Sequence, residues 1–196
     1  MRCYLPNEEK LRIKIANLPI IKHEKVELDN RLTFEEARTW FRYKDGKIYW
    51  LKSPYRNIII GTEAGYIRKT KYSPNSYRVI TLKGKKYLTG QIIFLLIHGY
   101  LPRYLLFIDG NTLNTSIENM TAGSYSMKMY RNLKKKKTYL NLKSITYISD
   151  TNKYKTYIQV NNKTYNLGSY TNIEIGKKAY NLAAKKLYGD IAYLDN

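Results

Sequence analysis

The chain has 196 residues, a formal net charge of +20 at pH 7 and one cysteine. A lone thiol, Cys3, excludes an internal disulfide framework and any multi-cysteine zinc site. No run approaches the ~20 apolar residues that span a bilayer. Charges at Glu8, Glu9, Lys10, Arg12 and Lys14 break the N-terminus, which therefore does not read as a secretory signal, and the expected location is the cytoplasm.

A chain of this size buries roughly 70% of its unfolded surface, enough for one medium or two small domains without staples. The surplus positive charge attracts polyanions over long range, and nucleic acid is the first expectation. An acidic protein partner is a second. A composition rich in Lys, Asn, Ile and Tyr also suits AT-rich coding, which supplies lysines for no binding purpose.

Residues 1–32 alternate apolar and charged groups without a clear period and read as an N-terminal extension. Thr33 opens a helix: Thr33 and Glu36 have capping-box spacing, and Phe34, Ala37, Trp40 and Phe41 fall on one face. Asp45-Gly46 signals a turn into a strand over 47–51. Gly61 and Gly65 punctuate a loop or bulge. Strands over 77–82 and 85–88 flank Lys83-Gly84 in a hairpin pattern. The helix expected from Thr89 to His98 carries Ile92, Ile93, Leu96 and Ile97 and stops at Gly99 and Pro102. Asp109-Gly110 is a further turn, and Thr115 or Ser116 is placed to cap a helix starting near Ile117.

From Asn119 to Ser149 there is no acidic residue, while Lys128, Arg131, Lys134, Lys135, Lys136, Lys137 and Lys143 crowd together. Repulsion at this density points to an exposed basic linker over 126–142. It is either a solvated connector or an arm that tracks phosphates through Lys134 to Lys137. Strands over 155–160 and 163–167 then bracket Asn161-Asn162, a pair suited to a left-handed two-residue turn. A helix over 172–188 follows, with a stripe of Ile175, Ala179, Leu182, Ala183 and Leu187 and with Gly189 at its end. Strand alternation sends Thr156, Ile158 and Val160 toward that helix. Lys153, Lys155, Tyr157 and Gln159 face outward, joined by Thr164 and Asn166 from the next strand.

Two stretches resemble known families. In "GKKYLTGQIIFLLIHGYLP" and "LLFIDGNTLNTSIENM", residues 33–125 resemble the His-Asn-His (HNH) nucleases of phages and mobile elements. In "YKTYIQVNNKTYNLGSY" and "AYNLAAKKLYGDIAYL", residues 143–196 resemble the Apetala/ethylene-response-factor type of DNA-binding domain, which phage HNH nucleases often carry at the C-terminus. The first resemblance implies a histidine general base and a single divalent metal. Its pattern puts a histidine where this chain has Phe107, an Asn or Asp at Leu106, another histidine at Gly90 and an asparagine at Thr115. Asp109, Asn111, Asn114 and Asn119 remain as oxygen donors, and the resemblance gives them the work of shaping the loop and capping the helix. His98 falls at a helix end that is not catalytic in the family, and His23 lies in the extension.

The expectation is therefore an α+β protein: a degenerate HNH domain, the basic linker, and a small antiparallel sheet packed on one helix. Its expected function is non-catalytic binding of double-stranded DNA, without a metal or other cofactor, in the cytoplasm of an infected host, as a candidate regulator. Lys153, Lys155, Tyr157, Gln159, Thr164, Asn166 and Lys134 to Lys137 are the expected DNA contacts. In the resembling domains this sheet face enters the major groove, usually with more arginine and tryptophan than here. Two alternatives stay open. One is an active endonuclease with an unusual metal site built from Asp109 and its neighbouring asparagines. The other is a protein that binds and inhibits a host enzyme or nucleoprotein complex, for which an exposed Leu106-Phe107 pair is the pointer.

Overall fold

The computed structural model describes residues 8–22, 32–70, 73–135 and 144–192. The chain divides into two units, residues 23–124 and residues 1–22 with 125–196. Both combine short helices with small antiparallel sheets, an α+β architecture. Among the described residues no helix is long and apolar enough to cross a membrane.

Helix α1 (Glu8–Ala16) belongs to the discontinuous unit and is taken up with it below. In the other unit, Thr33 caps helix α2 (Phe34–Trp40), its hydroxyl accepting from the Glu36 N–H at 3.1 Å. Phe41 does not continue that helix. Its backbone is extended and begins β1 (Phe41–Lys44), which pairs with β2 (Lys47–Trp50). The turn between them, Asp45-Gly46, has φ of 49° and 76°, the geometry a two-residue hairpin demands. A three-stranded sheet follows, of β3 (Tyr66–Thr70), β4 (Ser73–Leu82) and β5 (Lys85–Leu88), with β4 in the middle and Lys83-Gly84 as the second turn. Helix α3 (Thr89–His98) ends at left-handed Gly99, whose N–H donates to the Leu95 carbonyl. Ile92, Ile93 and Phe94 of α3 join Ala37, Ile48, Ile80 and Leu82 in the core.

Strands β6 (Tyr104–Phe107) and β7 (Met120–Gly123) form the last hairpin of this unit, pairing Leu106 with Thr121 and Phe107 with Met120. The helix expected near Ile117 is only a 3₁₀ turn, Ile117–Asn119. The Ser116 hydroxyl makes no cap bond and donates instead to Asn114 Oδ1. Strand pairing with β6 claims the backbone from Met120 onward, so the turn has no room to lengthen.

The other unit holds α1, α4 (Tyr125–Lys135), β8 (Ile145–Ile148), β9 (Lys153–Val160), β10 (Lys163–Tyr170) and α5 (Ile173–Tyr188). Its sheet has the order β10-β9-β8. Asn161 and Asn162 take the left-handed turn at φ of 50° and 62°. Asn172 caps α5 by accepting from the Glu174 N–H at 2.8 Å. The buried stripe of α5 is rotated from the expected one. Gly176, Ala179, Tyr180, Ala183, Ala184, Leu187 and Tyr188 are buried, whereas Leu182 is 49% exposed. The smallest residues set the docking face, because they let the helix axis come closest to the sheet.

Two expectations about connecting segments need correction. α1, inside the supposed extension, packs on α5 and β10, and Lys186 Nζ donates to the carbonyls of Ile15 (2.5 Å) and Ala16 (2.7 Å). A cation there complements the negative end of the helix. The supposed linker begins as helix α4, which buries Met127, Tyr130 and Arg131, and the Tyr130 ring stacks on Tyr188 at 3.8 Å. Apolar groups three residues apart outweigh the charge density there. Lys134 and Lys135 close this helix, and Lys136 and Lys137 lie outside the described residues.

The helix lies close on the sheet at Gly176, where an added Cβ would stand 2.7 Å from Thr156 Oγ1. That hydroxyl is buried and has no hydrogen-bond partner among the described residues. Gly176→Ala is expected to destabilise by about 1–3 kcal/mol through overpacking. Thr156→Val, which removes the unsatisfied oxygen at constant shape, is expected to leave stability unchanged or raise it. Urea unfolding of the two variants checks both.

Candidate functional site

The Asp/Asn loop between β6 and β7 is organised around one carboxylate. Asp109 Oδ1 accepts from the Asn111 N–H (2.7 Å) and from Asn119 Nδ2 (2.9 Å), while Oδ2 accepts from Asn114 Nδ2 (2.7 Å). Asn119 is buried; its Oδ1 accepts from the Asp109 N–H and its amide also donates to the Asn114 carbonyl. Asn111 Oδ1 accepts from the Leu113 N–H. Thr115 is buried as well, its hydroxyl donating to the Gly46 carbonyl at 2.6 Å, and the Thr112 hydroxyl donates to the Ser76 carbonyl. The polar side chains of this loop are thus turned inward on its own backbone and on the neighbouring hairpins.

Phe107 and Gly90, far apart in sequence, meet. A Cβ built on Gly90 would lie 3.1 Å from the Phe107 ring, 3.2 Å from Met120 Sδ and 3.5 Å from Leu105. The Phe107 side chain therefore occupies the space that a side chain at 90 would need. Leu106 does the same over Gly123: a Cβ there would fall 2.7 Å from Leu106 Cγ. Leu106 is 7% exposed and Phe107 only partly buried against the core, so the exposed Leu106-Phe107 pair does not exist. His98 is exposed at the end of α3, its ring 4.2 Å from that of Phe94. His23 lies outside the described residues. Among the described residues no three His, Cys, Asp or Glu side chains are grouped so as to share a metal ion.

The second candidate surface is the face of the β8–β10 sheet turned away from α5. Thr156, Ile158 and Val160 are buried, while Lys153, Lys155 and Gln159 are exposed and Tyr157 is half-buried. Register pairs Thr164 with Gln159 and Asn166 with Tyr157, so the expected outward residues do share one face. Asn166 also holds its own strand in shape. Its Oδ1 accepts from the Gly168 N–H at 3.0 Å, across the bulge that shifts the register after it. Further residues of this face escaped the sequence. Thr146 and Ser169 both pair with Lys155. The bulge that brings Ser169 into place carries no pattern readable in advance. Behind the sheet, the Tyr188 hydroxyl donates to the Gln159 carbonyl, and burial, with Tyr180 beside it, raises its pKa so that it stays a neutral donor.

An uncharacterized HNH endonuclease of Acanthamoeba polyphaga mimivirus is 30% identical over 136 residues, covering 68% of this chain and 67% of that protein. No family model matches the chain. No solved structure matches it. On that relative, the chain belongs to the HNH endonuclease family.

Proposed function

We propose that this chain binds double-stranded DNA without cutting it, as a member of the HNH family whose catalytic positions have been replaced, in a regulatory role. The observation that carries the reading is the seating of Phe107 on Gly90 and of Leu106 on Gly123. Positions where the family has a proton acceptor and a donor for metal hold hydrocarbon, and that hydrocarbon is built into the packing. The residues present do not fit the family's divalent metal. Both oxygens of Asp109 already accept hydrogen bonds from within the loop, and a phenyl ring and a leucine offer no lone pair. The same bonds count against an unusual metal site on Asp109.

On this reading residues 143–196 act as the Apetala-type domain and supply sequence recognition. The outward face offers Lys153 and Lys155 to phosphates or guanine edges, and Gln159 to adenine. Lysine and glutamine without arginine favour an AT-leaning site.

In a plasmid-nicking assay with magnesium or manganese, purified protein is expected to leave the DNA intact, and Phe107→His to recover nothing. Metal-dependent cleavage that copurifies with the protein would overturn the proposal. Gln159→Ala is expected to cost about 1–3 kcal/mol on the preferred duplex and little on random DNA. Equal losses on every duplex would leave this face with phosphate binding alone. Replacing Lys134 to Lys137 with alanine is expected to weaken all duplexes alike, with the log–log salt slope flattening by about 0.9 for each phosphate no longer neutralised.

A further inference from the structure

We infer that the β3–β4–β5 sheet is a second surface for duplex DNA, separate from the β8–β10 sheet. From Ala64 to Ile108 the chain has no acidic residue, while Arg68, Lys69, Arg78, Lys83, Lys85 and Lys86 fall in and between these strands. Register sorts them. Tyr66 pairs with Val79 and Val79 with Leu88; Arg68 pairs with Tyr77, and Thr81 with Lys86. Tyr66, Arg68, Tyr77, Thr81 and Lys86 therefore stand on one face, around a buried Val79. The opposite face carries Ile80 and Leu82, both buried in the core. The carboxylates beside the sheet are engaged, Glu63 with Arg78 at 2.8 Å and Lys47 at 3.2 Å, and Glu36 with Lys83 at 2.7 Å. Arg78 pairs with Ile67, so it belongs to the core-side face.

The outer face has the mixture that nucleic acid selects: Arg68 and Lys86 are exposed and Tyr66 is 48% exposed. Arg68 and Lys86 lie about 10 Å apart across two strand spacings and roughly 13 Å along β4. That spread suits phosphates on opposite walls of a major groove about 12 Å wide. Charges on an edge strand such as β3 also guard against aggregation. A guarding role does not account for Tyr66 beside them.

The inference rests on the DNA binding proposed above, and one titration separates their failures. The full chain is titrated with a 30-base-pair duplex at several salt concentrations, beside an Arg68→Gln/Lys86→Gln variant and a Lys10→Gln/Lys14→Gln variant of equal charge on α1. The sheet variant is expected to bind about tenfold more weakly, with a salt slope shallower by about 1.8 for two phosphates no longer neutralised. The α1 variant is expected to change far less. Wild-type binding with equal behaviour of both variants overturns this inference alone, and absence of wild-type binding overturns both readings. Should the sheet variant fail to fold, hydrogen exchange on the unaltered chain decides. Slower amide exchange over 66–88 on adding duplex supports the second surface, and no change there refutes it.

Discussion

Asp109 is the point on which the β6–β7 hairpin depends. Its carboxylate is the hub of the loop, and Asn119, itself buried, answers it from the far end. Those bonds bring the start of β7 back beside β6, so that Met120 pairs with Phe107. Met120 and Phe107 then close over Gly90 at the start of α3. A carboxylate that accepts from a backbone N–H and two side-chain amides is well satisfied, and charge-assisted bonds of this sort are stronger than neutral ones. Local polar order thus fixes where the apolar side chains meet.

On the proposed reading, the distribution of charge gives each unit a way to meet a polyanion. The acid-free stretches, 64–108 and 119–149, fall largely in different units, and each contributes strands to a small sheet with one face against its own core. Self-repulsion in a chain of net charge +20 opposes compactness. Three of the carboxylates hold structure together. Glu63 holds Lys47 and Arg78, Glu36 holds Lys83 at 2.7 Å, and Asp109 holds its loop.

Much of the local structure was legible in the sequence because it rests on residues with one dominant physical use. Thr33 with Glu36, Asp45-Gly46, Lys83-Gly84, Asn161-Asn162 and Gly99 each mark a cap or turn that the chain adopts. Outward alternation on β9 followed from period two alone. What escaped depended on partners distant in sequence. Leu182 matched the helical period, but the helix presents Gly176 and Tyr180 beside the expected Ala179 and Ala183 instead. Helix α4 looked like a connector until Tyr130 found Tyr188. The loop asparagines were legible as loop-shaping groups, but the meeting of Phe107 with Gly90 was not, since nothing local links a strand end to the first turn of a helix 17 positions away.

That meeting also bears on how a nuclease scaffold persists when its chemistry is lost. Catalytic groups are seldom chosen for stability, and replacing them commonly stabilises a protein at the expense of function. On the proposed reading, Phe107 and Gly90 changed as a matched pair. With the Phe107 ring seated as it is, a side chain at 90 would crowd it, an added Cβ lying 3.1 Å from the ring. A histidine at 90 would meet the ring, and a histidine at 107 would leave part of that space unfilled. Each single reversal thus meets a packing penalty before any chemistry is regained. On the proposed reading, the turns, caps and Asp109 network keep the scaffold without calling on either side chain, while the packing of Phe107 on Gly90 resists a return to cleavage.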